Sequence, residues 1–288
     1  MISSIEDDYF MRLNAVAKYI DEHLGEKLDL KKLAKMSYFS EYHFHRIFKE
    51  YYNETLAAYI SRNRVERAAY LLRYTNLSIK EVAYKVGYEF PASLSKAFKQ
   101  LYKISPSDYR LKKGISVKDE RVMRIKKESI QGINYSGVVV LNNINIIYNR
   151  LIGPYNELKY LDGWKNLLEY AKERNVNTNR LDFIVIYHND IDLTEASKLR
   201  SDVCISVDKI IPAGGKIGVK EIIGGKYAVF TYKGPLICSS EIMNSIFKKW
   251  ELDNRYELRE LPIFEKYLNN PMKTKPDLLN KEIYLPIQ

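Results

Sequence analysis

The stretch DLKKLAKMSYFSEYHFHRIFKEYYNETLAAY, residues 29–59, decides the fold of the first part of the chain. A related stretch, SIKEVAYKVGYEFPASLSKAFKQLYKISPSDY, occupies residues 78–109. Ala34 matches Ala83 at an offset of 49, whereas Tyr38 matches Tyr88 at an offset of 50. The one-residue difference falls in a predicted turn, so each stretch is typical of two helices joined by a turn. We refer to them as the first motif and the second motif.

Capping residues predict where the helices of both motifs begin. Asp29 and Ser40 precede the two helices of the first motif, and Ser78 with Glu81 forms a capping box in the second. Gly87 suits the tight turn because it lacks a Cβ atom. Helical spacing predicts two equivalent buried stripes, which are Phe44, Ile47, Phe48 and Tyr51 in the first motif and Leu94, Ala97, Phe98 and Leu101 in the second.

The remaining side chains of both second helices are predicted to point outward. These residues are Tyr42, His45, Arg46 and Lys49 in the first motif and Ala92, Ser93, Lys96 and Lys99 in the second. Cationic and hydroxyl side chains on one helix face suit base edges in the major groove and neighbouring phosphates. A single such helix is more simply a solvated face of a helical bundle. Two capped copies favour DNA binding.

The basic residues are concentrated around the two motifs. Residues 31–113 contain 17 Lys and Arg against 7 Asp and Glu, whereas residues 1–30 contain 3 against 7. The whole chain of 288 residues carries a net charge of +10. A basic excess confined to one segment is suited to phosphate neutralisation with release of counterions.

A single helix is predicted between the motifs, over residues 55–74, and another before them, over residues 9–24. The connecting helix would hold the two motifs at a fixed separation. Successive major-groove faces are about 34 Å apart. We therefore predict that one chain contacts two adjacent major grooves on one side of a duplex, and that the DNA bends if the motifs sit closer than this.

The patterns YHFHRIFK, YI-x3-RV-x2-A-x2-LL, I-x-EVA-x-x-VGY and F-K-x6-SP-x2-YR resemble the AraC/XylS-type transcription regulators over about residues 9–110. The resemblance implies base contacts from Tyr42, His45 and Arg46, and from Ala92, Ser93 and Lys96. The second motif departs from the family pattern, because Phe90-Pro91-Ala92 replaces polar residues and Lys96 stands where Arg is common. With fewer hydrogen-bonding groups there, looser sequence discrimination is expected.

The second half of the chain has the pattern of strands. After a polar linker at residues 113–120, strands are predicted at 122–126, 144–148, 182–188, 203–207, 221–223, 226–232, 263–268 and 282–287, with helices near 155–175 and 239–250. Gly153-Pro154 matches Gly234-Pro235, and Tyr187 matches Tyr267, at an offset near 80. We predict an all-helical double helix-turn-helix domain at 1–112. A pseudo-twofold α+β domain of two strand-helix-strand-strand units is predicted at 121–288.

The motifs GGKYAVFTYKGP, RELPIFEKYLNNP and KEIYLPI resemble the GyrI-like (Rob-like) effector-binding domain over about residues 122–287, whereas residues 130–143 look like an insertion. This resemblance implies a small-molecule ligand, and the combination implies a bacterial regulator, most simply an activator that also contacts RNA polymerase.

Glu265, inside the strand PIFEKYL, is the main candidate for ligand chemistry. A carboxylate among aromatic rings suits a cationic or amphipathic ligand. The predicted aromatic cup consists of Phe264, Tyr267, Tyr284, Trp250, Tyr232 and Tyr227. Alternatively, Glu265 points to solvent and pairs with Lys266 or Arg259. Glu282 is a second candidate, and Trp164 is expected in the core.

Two other functions stay open from the residues. The second domain is either a small-molecule hydrolase, although the sequence offers no nucleophile–base set, or a module that docks a protein. No cofactor is expected, and no metal site, because His43 and His45 lie two residues apart and on different helix faces. The acidic start and the lack of an apolar run near 20 residues predict a cytoplasmic protein, with Cys204 and Cys238 reduced.

Overall fold

The computed structural model describes residues 5–111, 132–178, 181–209, 211–235, 240–251 and 256–288. The chain divides into two compact units, residues 1–121 and 122–288, which we call the helical unit and the sheet unit. The predicted linker at 113–120, the predicted strand at 122–126 and Cys238 lie outside the described residues.

The helical unit contains both motifs as predicted. Its helices are α1 (Ile5–Glu22), α2 (Leu30–Met36), α3 (Glu41–Tyr52), α4 (Leu56–Tyr74), α5 (Ile79–Lys85), α6 (Pro91–Tyr102) and α7 (Pro106–Leu111). Asp29 accepts a hydrogen bond from the Lys31 N–H, and Ser78 and Glu81 form the reciprocal capping box. The αL backbone of Gly87 ends α5, where a Cβ atom would lie 2.7 Å from the Arg64 guanidinium. The motif pairs α2–α3 and α5–α6 are therefore real structural duplicates.

The centres of the two predicted stripes are buried, whereas Ile47, Tyr51 and Ala97 are only half-buried. Phe44 and Phe48 of α3 and Leu94 and Phe98 of α6 are inaccessible to solvent. Leu101 was predicted in the stripe of α6 but is 41% exposed. Tyr102 is buried instead, because the packed face continues at four-residue spacing and the Tyr102 ring contacts Phe98 at 4.9 Å.

A buried ion triad on α4 was not predicted. Arg62 donates to both carboxylate oxygens of Glu54 and, through Nη1, to Glu66 at 3.1 Å. All three side chains are at least nine-tenths buried. Part of the basic content of the helical unit is therefore internal and unavailable to a partner.

The sheet unit is one antiparallel sheet with helices. Its elements are β1 (Asn134–Leu141), β2 (Ile144–Ile152), α8 (Tyr160–Glu173), β3 (Phe183–Tyr187), β4 (Arg200–Ser206), β5 (Ile217–Ile222), β6 (Gly225–Lys233), α9 (Ser240–Glu251), β7 (Ile263–Tyr267) and β8 (Asn280–Pro286). The strand order is β1-β6-β8-β7-β3-β4-β2-β5. Strands β7 and β3 meet in the middle of the sheet, where the two halves of the sequence join.

The stretch at residues 130–143, which looks like an insertion in the sequence, contains an edge strand that was not predicted. Residues 134–141 form β1, an edge strand paired with β6. Its pattern was hidden because it is exposed on both faces, and therefore lacks the alternation that marks a half-buried strand.

Equivalent hydrogen bonds recur in the two halves of the sheet unit. The Gly153 N–H donates to the Leu199 carbonyl at 2.9 Å, and the Gly234 N–H donates to the Leu279 carbonyl at 3.0 Å. The Arg200 N–H and the Asn280 N–H likewise each donate to an Asn side chain eleven residues earlier. These pairs are separated by the same 80 or 81 residues as the sequence repeat.

Candidate functional site

The predicted DNA-contacting residues of the first motif all lie on the outer face of α3. Tyr42, His45, Arg46 and Lys49 are exposed, with Tyr42 at 81%. Ser40 accepts the His43 N–H and so fixes the start of this helix. The geometry provides three cationic or hydrogen-bonding side chains and one aromatic ring to a partner; contact with DNA stays a prediction.

Arg46 is held by a neighbour that the sequence did not single out for this role. The Arg46 guanidinium lies 3.4 Å from Nδ1 of His43, and Nε2 of His43 lies 3.3 Å from the Tyr9 hydroxyl. His43 also packs edge-on against Tyr9 and Phe39. His43 therefore links Arg46 of the same helix to Tyr9 of α1, whereas His45 is exposed.

The outer face of α6 presents different chemistry at its start. Ala92, Ser93, Lys96 and Lys99 are exposed, as predicted for this helix face. Phe90 occupies the N-cap position and makes no side-chain capping hydrogen bond. The cations Lys96 and Lys99 therefore lie further along the helix than the apolar residues that begin it.

Several cations of the helical unit serve the fold. Arg64 donates to the Leu24 and Glu26 carbonyls at 3.0 and 2.7 Å, and burial lowers the pKa of its guanidinium. Arg110 donates to the Leu77 carbonyl, and Arg12 donates to the Ser37 and Tyr38 carbonyls near the turn before α3. Net charge alone therefore overstates the cations available to DNA.

The seven residues predicted for one ligand cup do not come together. Side chains alternate between the faces of a sheet, so Glu265 and Tyr267 of β7 lie on one face and Phe264 on the other. The register places Tyr232 on the Glu265 face and Tyr227 and Tyr284 on the Phe264 face. These residues therefore do not form one cup, because neighbouring positions of a strand face opposite sides of the sheet.

Glu265 does not point to solvent, and its carboxylate already has partners inside the protein. It is 1% exposed, accepts a hydrogen bond from the Tyr267 hydroxyl at 3.1 Å and pairs with the Lys281 ammonium at 3.2 Å. Lys281 also donates to the Pro235 carbonyl at 2.9 Å and lies over the Tyr232 ring. Lys281 thus neutralises the carboxylate, which disfavours Glu265 as the partner of a cationic ligand.

The other two residues considered beside Glu265 have partners elsewhere. Lys266 pairs with Asp182 at 2.9 Å, and Arg259 donates to the Gly224 and Lys226 carbonyls.

The two tryptophans are both buried. Trp250 stacks on Tyr256, while Trp164 lies in the core and donates from its ring nitrogen to the Cys204 carbonyl. The expectation for Trp164 is confirmed.

Three rings on the opposite sheet face form a compact set, which we call the aromatic triad: Tyr227, Phe264 and Tyr284. Phe264 and Tyr284 stack with centroids 4.5 Å apart, and Tyr227 meets both edge-on. The Tyr284 hydroxyl donates to Glu282 at 2.6 Å. Burial, and then this hydrogen bond to Glu282, raise the pKa of Tyr284 above its usual range. Glu282 is only partly buried, so its carboxylate borders the triad.

A charged cluster around Asp202 lies on the same sheet face, and it was missed from the sequence. Asp202 accepts from Arg150 at 2.8 Å, contacts Nε2 of His188 at 2.6 Å and pairs with Lys220 at 2.5 Å. Burial lowers the pKa of His188 to about 4, so this imidazole is neutral at pH 7. Three of these residues lie on different strands, β2, β4 and β5, and His188 directly follows β3, which is why linear spacing did not reveal them.

A cavity of about 410 Å³ lies near α8. Tyr155, Tyr160 and Pro235 are among its lining residues, and no residue of the predicted ligand set lines it.

In the described ranges, no group of three or more His, Cys, Asp or Glu side chains is arranged to hold a metal ion. Among those same residues, no helix is long and apolar enough to cross a bilayer.

Comparison with protein families matches two domain models to the chain. The GyrI-like small molecule binding domain matches residues 138–288, and a helix-turn-helix domain of the AraC type matches residues 33–112. The first match covers more than half of the chain and includes β2–β8, and the second includes α3–α6.

Curated relatives match over about a third to two fifths of the chain. The HTH-type transcriptional regulator YbfP of Bacillus subtilis is 32% identical over 41% of this chain and 41% of its own length. The regulatory protein SoxS of Salmonella typhimurium is 33% identical over 34% of this chain and 92% of its own length. The chain thus spans less than half of YbfP but nearly all of SoxS.

Among solved structures, the EcmrR–DNA complex is similar with a TM-score of 0.46 and 15% identity, covering 90% of this chain and 98% of that one. A TM-score of this size does not establish a common fold over the full length.

The buried Glu265–Lys281 pair predicts a large stability loss when only one partner is removed. Lys281→Met leaves a buried carboxylate without its cation, so we expect the sheet unit to lose about 3–5 kcal/mol. Both tryptophans of the chain lie in this unit, so urea unfolding followed by tryptophan fluorescence measures the change. The double variant Glu265→Gln/Lys281→Met should recover most of the loss. The partly exposed Lys266→Met serves as control, with an expected loss of less than ~1 kcal/mol.

The low pKa of His188 predicts acid sensitivity in a defined window. The folded protein holds His188 neutral down to about pH 4, whereas the unfolded chain protonates it near 6.5. The unfolded state therefore binds the extra proton between these values, and stability falls by about 3 kcal/mol as the pH drops from 6.5 to 4. Histidine NMR titration checks this: one of four imidazoles should not titrate above pH 5, and His188→Gln should remove that resonance. A titration midpoint near 6.5 for His188 contradicts the prediction.

Proposed function

The chain belongs to the GyrI-like small molecule binding family and carries an AraC-type helix-turn-helix domain, and from this we propose that it is a ligand-responsive transcription regulator. The single observation that carries the proposal is the duplicated outer face of α3 and α6. Each helix buries one apolar stripe and turns cations outward. The role of activator, with RNA polymerase as partner, is part of this proposal.

One molecule engages two adjacent major grooves in this proposal. Helix α4 has 19 residues, so it is about 28 Å long, and it packs against α3 of the first motif and against α5 and α6 of the second. Adjacent major-groove faces are about 34 Å apart along straight DNA. Because α4 is shorter than the distance between the two grooves, simultaneous binding to both grooves favours DNA that bends toward the protein.

The ligand site is proposed at the aromatic triad with Glu282. The rings of the triad are at most 6% exposed, and Glu282 supplies a partly buried carboxylate at their border, with Tyr284 as its hydrogen-bond partner. This combination suits a small cationic or amphipathic molecule. The proposal therefore moves the acidic residue from Glu265, which Lys281 neutralises, to Glu282.

The pseudo-twofold relation of the sheet unit is also proposed. The recurring hydrogen bonds at Gly153 and Gly234 support two units, β2-α8-β3-β4 and β6-α9-β7-β8. In each unit the helix connects the first strand to the second, and β3 and β7 pair at the junction. The triad draws Phe264, Tyr227 and Tyr284 from the second unit alone, so the proposed ligand site is asymmetric.

Hydrolysis by the sheet unit is the less favoured alternative. His188 and Asp202 are in contact, but Arg150 and Lys220 share the same carboxylate. Burial raises the pKa of the neighbouring Cys204 thiol, which keeps it protonated. A protein-docking role is distinguished by the ligand experiment below.

Arg46→Ala is expected to lower the affinity of the full chain for a duplex selected from a random library by about 5- to 150-fold, because it removes a base-contacting cation. Lys99→Ala should weaken all duplexes about equally and reduce the slope of affinity against salt by about one. Mobility-shift titrations at several salt concentrations measure both effects.

The matched control is Lys172→Ala, which removes an exposed cation from α8 of the sheet unit. It should leave both the affinity and the salt slope unchanged. Wild-type affinity in Arg46→Ala, or an equal loss in Lys172→Ala, contradicts DNA contact through α3.

Glu282→Gln is expected to abolish stabilisation by a cationic ligand. Benzyltrimethylammonium should raise the melting temperature of the sheet unit in the wild type, because a ligand that binds only the folded state stabilises it. The uncharged benzyl alcohol should raise it less, and Glu257→Gln, at an exposed position, should respond like the wild type. An equal response in Glu282→Gln excludes this carboxylate, and no response in any variant favours the docking alternative.

A further inference from the structure

Phe90 is a large apolar side chain held in solvent where the second motif begins its outer helix. Its side chain is 64% exposed, and it occupies the N-cap position of α6 with extended backbone angles. Pro91 follows as the first helical residue. In the described part of the chain, no ring contact or cation–π contact involves Phe90.

Other helices of the unit begin differently. Ser40, Thr55 and Ser78 each accept a backbone N–H at the start of α3, α4 and α5. Phe at the equivalent position of α6 gives up that hydrogen bond, which makes the helix start less stable. An exposed apolar ring adds no burial in return. Phe90 therefore contributes no capping hydrogen bond and little buried surface to the fold.

The neighbours of Phe90 indicate the chemistry of that partner. Ala92 and Ser93 are exposed in the first turn of α6, followed by Lys96 and Lys99 on the same outer face. The cations suit phosphates, as in the first motif. The start of α6, however, offers the groove a ring and a methyl group, where α3 offers the exposed Tyr42 and Arg46.

One base carries an apolar group in the major groove, and that base is thymine with its C5-methyl group. Phe and Ala are side chains that contact this methyl. We propose that Phe90, assisted by Ala92, contacts thymine methyl groups, so that the second motif selects thymine in its half-site. This inference rests on the proposed function. It replaces the expected loose discrimination by a defined preference that needs no hydrogen bond.

The test uses the full chain and a duplex selected by it from a random library. Each thymine of the half-site bound by α6 is replaced in turn by deoxyuridine, which removes only the methyl group. We expect about fourfold weaker binding at one or two positions, the effect of exposing one buried methyl. In Phe90→Ala the same replacement should change affinity by less than about twofold.

Phe90→Ser separates a DNA contact from a structural role. Serine restores the type of cap found at Ser40 and Ser78, so the helical unit should melt at a higher temperature. Its affinity for the thymine duplex should nevertheless fall to the level of Phe90→Ala. The control is Leu101→Ala, which removes an exposed apolar side chain at the far end of α6. It should leave affinity and the deoxyuridine effect unchanged.

Three outcomes overturn the inference alone: no deoxyuridine position weakens the wild type, Phe90→Ser keeps wild-type affinity, or Phe90→Ala is equally sensitive to deoxyuridine. In each case Arg46→Ala still weakens the selected duplex, and the proposed function stands. If selection returns no preferred duplex and Arg46→Ala has no effect, the proposed function fails and this inference fails with it.

Discussion

The burial of one apolar stripe on α3 and of its counterpart on α6 is the constraint on which the rest of the helical unit depends. Phe44 and Phe48, and Leu94 and Phe98, exclude solvent completely. A helix whose apolar face is packed in the core cannot rotate about its own axis. The packing therefore also determines which residues lie on its outer face. Arg46 and Lys96 point outward for this reason, and the side chains that could contact DNA are positioned by core packing.

The alternation of side chains plays the equivalent role in the sheet unit. The adjacent residues Phe264 and Glu265 point to opposite faces of the sheet. Phe264 packs in the aromatic triad, and Glu265 pairs with Lys281. A buried carboxylate is tolerated when a cation and hydrogen bonds satisfy it. Glu282, at the border of the triad, keeps part of its surface available. Burial and partners, more than residue type, decide which acid can meet a ligand.

Some cations of this chain stabilise the fold and others are exposed to a partner, and the net charge does not distinguish the two groups. Arg62 and Arg150 are buried and paired with carboxylates, and the half-buried Arg64 donates to backbone carbonyl groups. Lys96, Lys99 and Arg46 stay exposed on the outer helix faces. The basic excess in residues 31–113 remains a useful signal because it coincides with duplicated helices.

Local patterns in the sequence determined the helices of both motifs, their caps and most strands, because capping and periodicity involve residues close along the chain. Asp29, Ser40 and Ser78 begin helices as predicted, and Phe48 and Phe98 are buried as predicted. Only the tertiary structure decided that Lys281 neutralises Glu265, and that Arg150, His188 and Lys220 converge on Asp202. These partners come from different strands, and strand order and register depend on packing across the whole sheet.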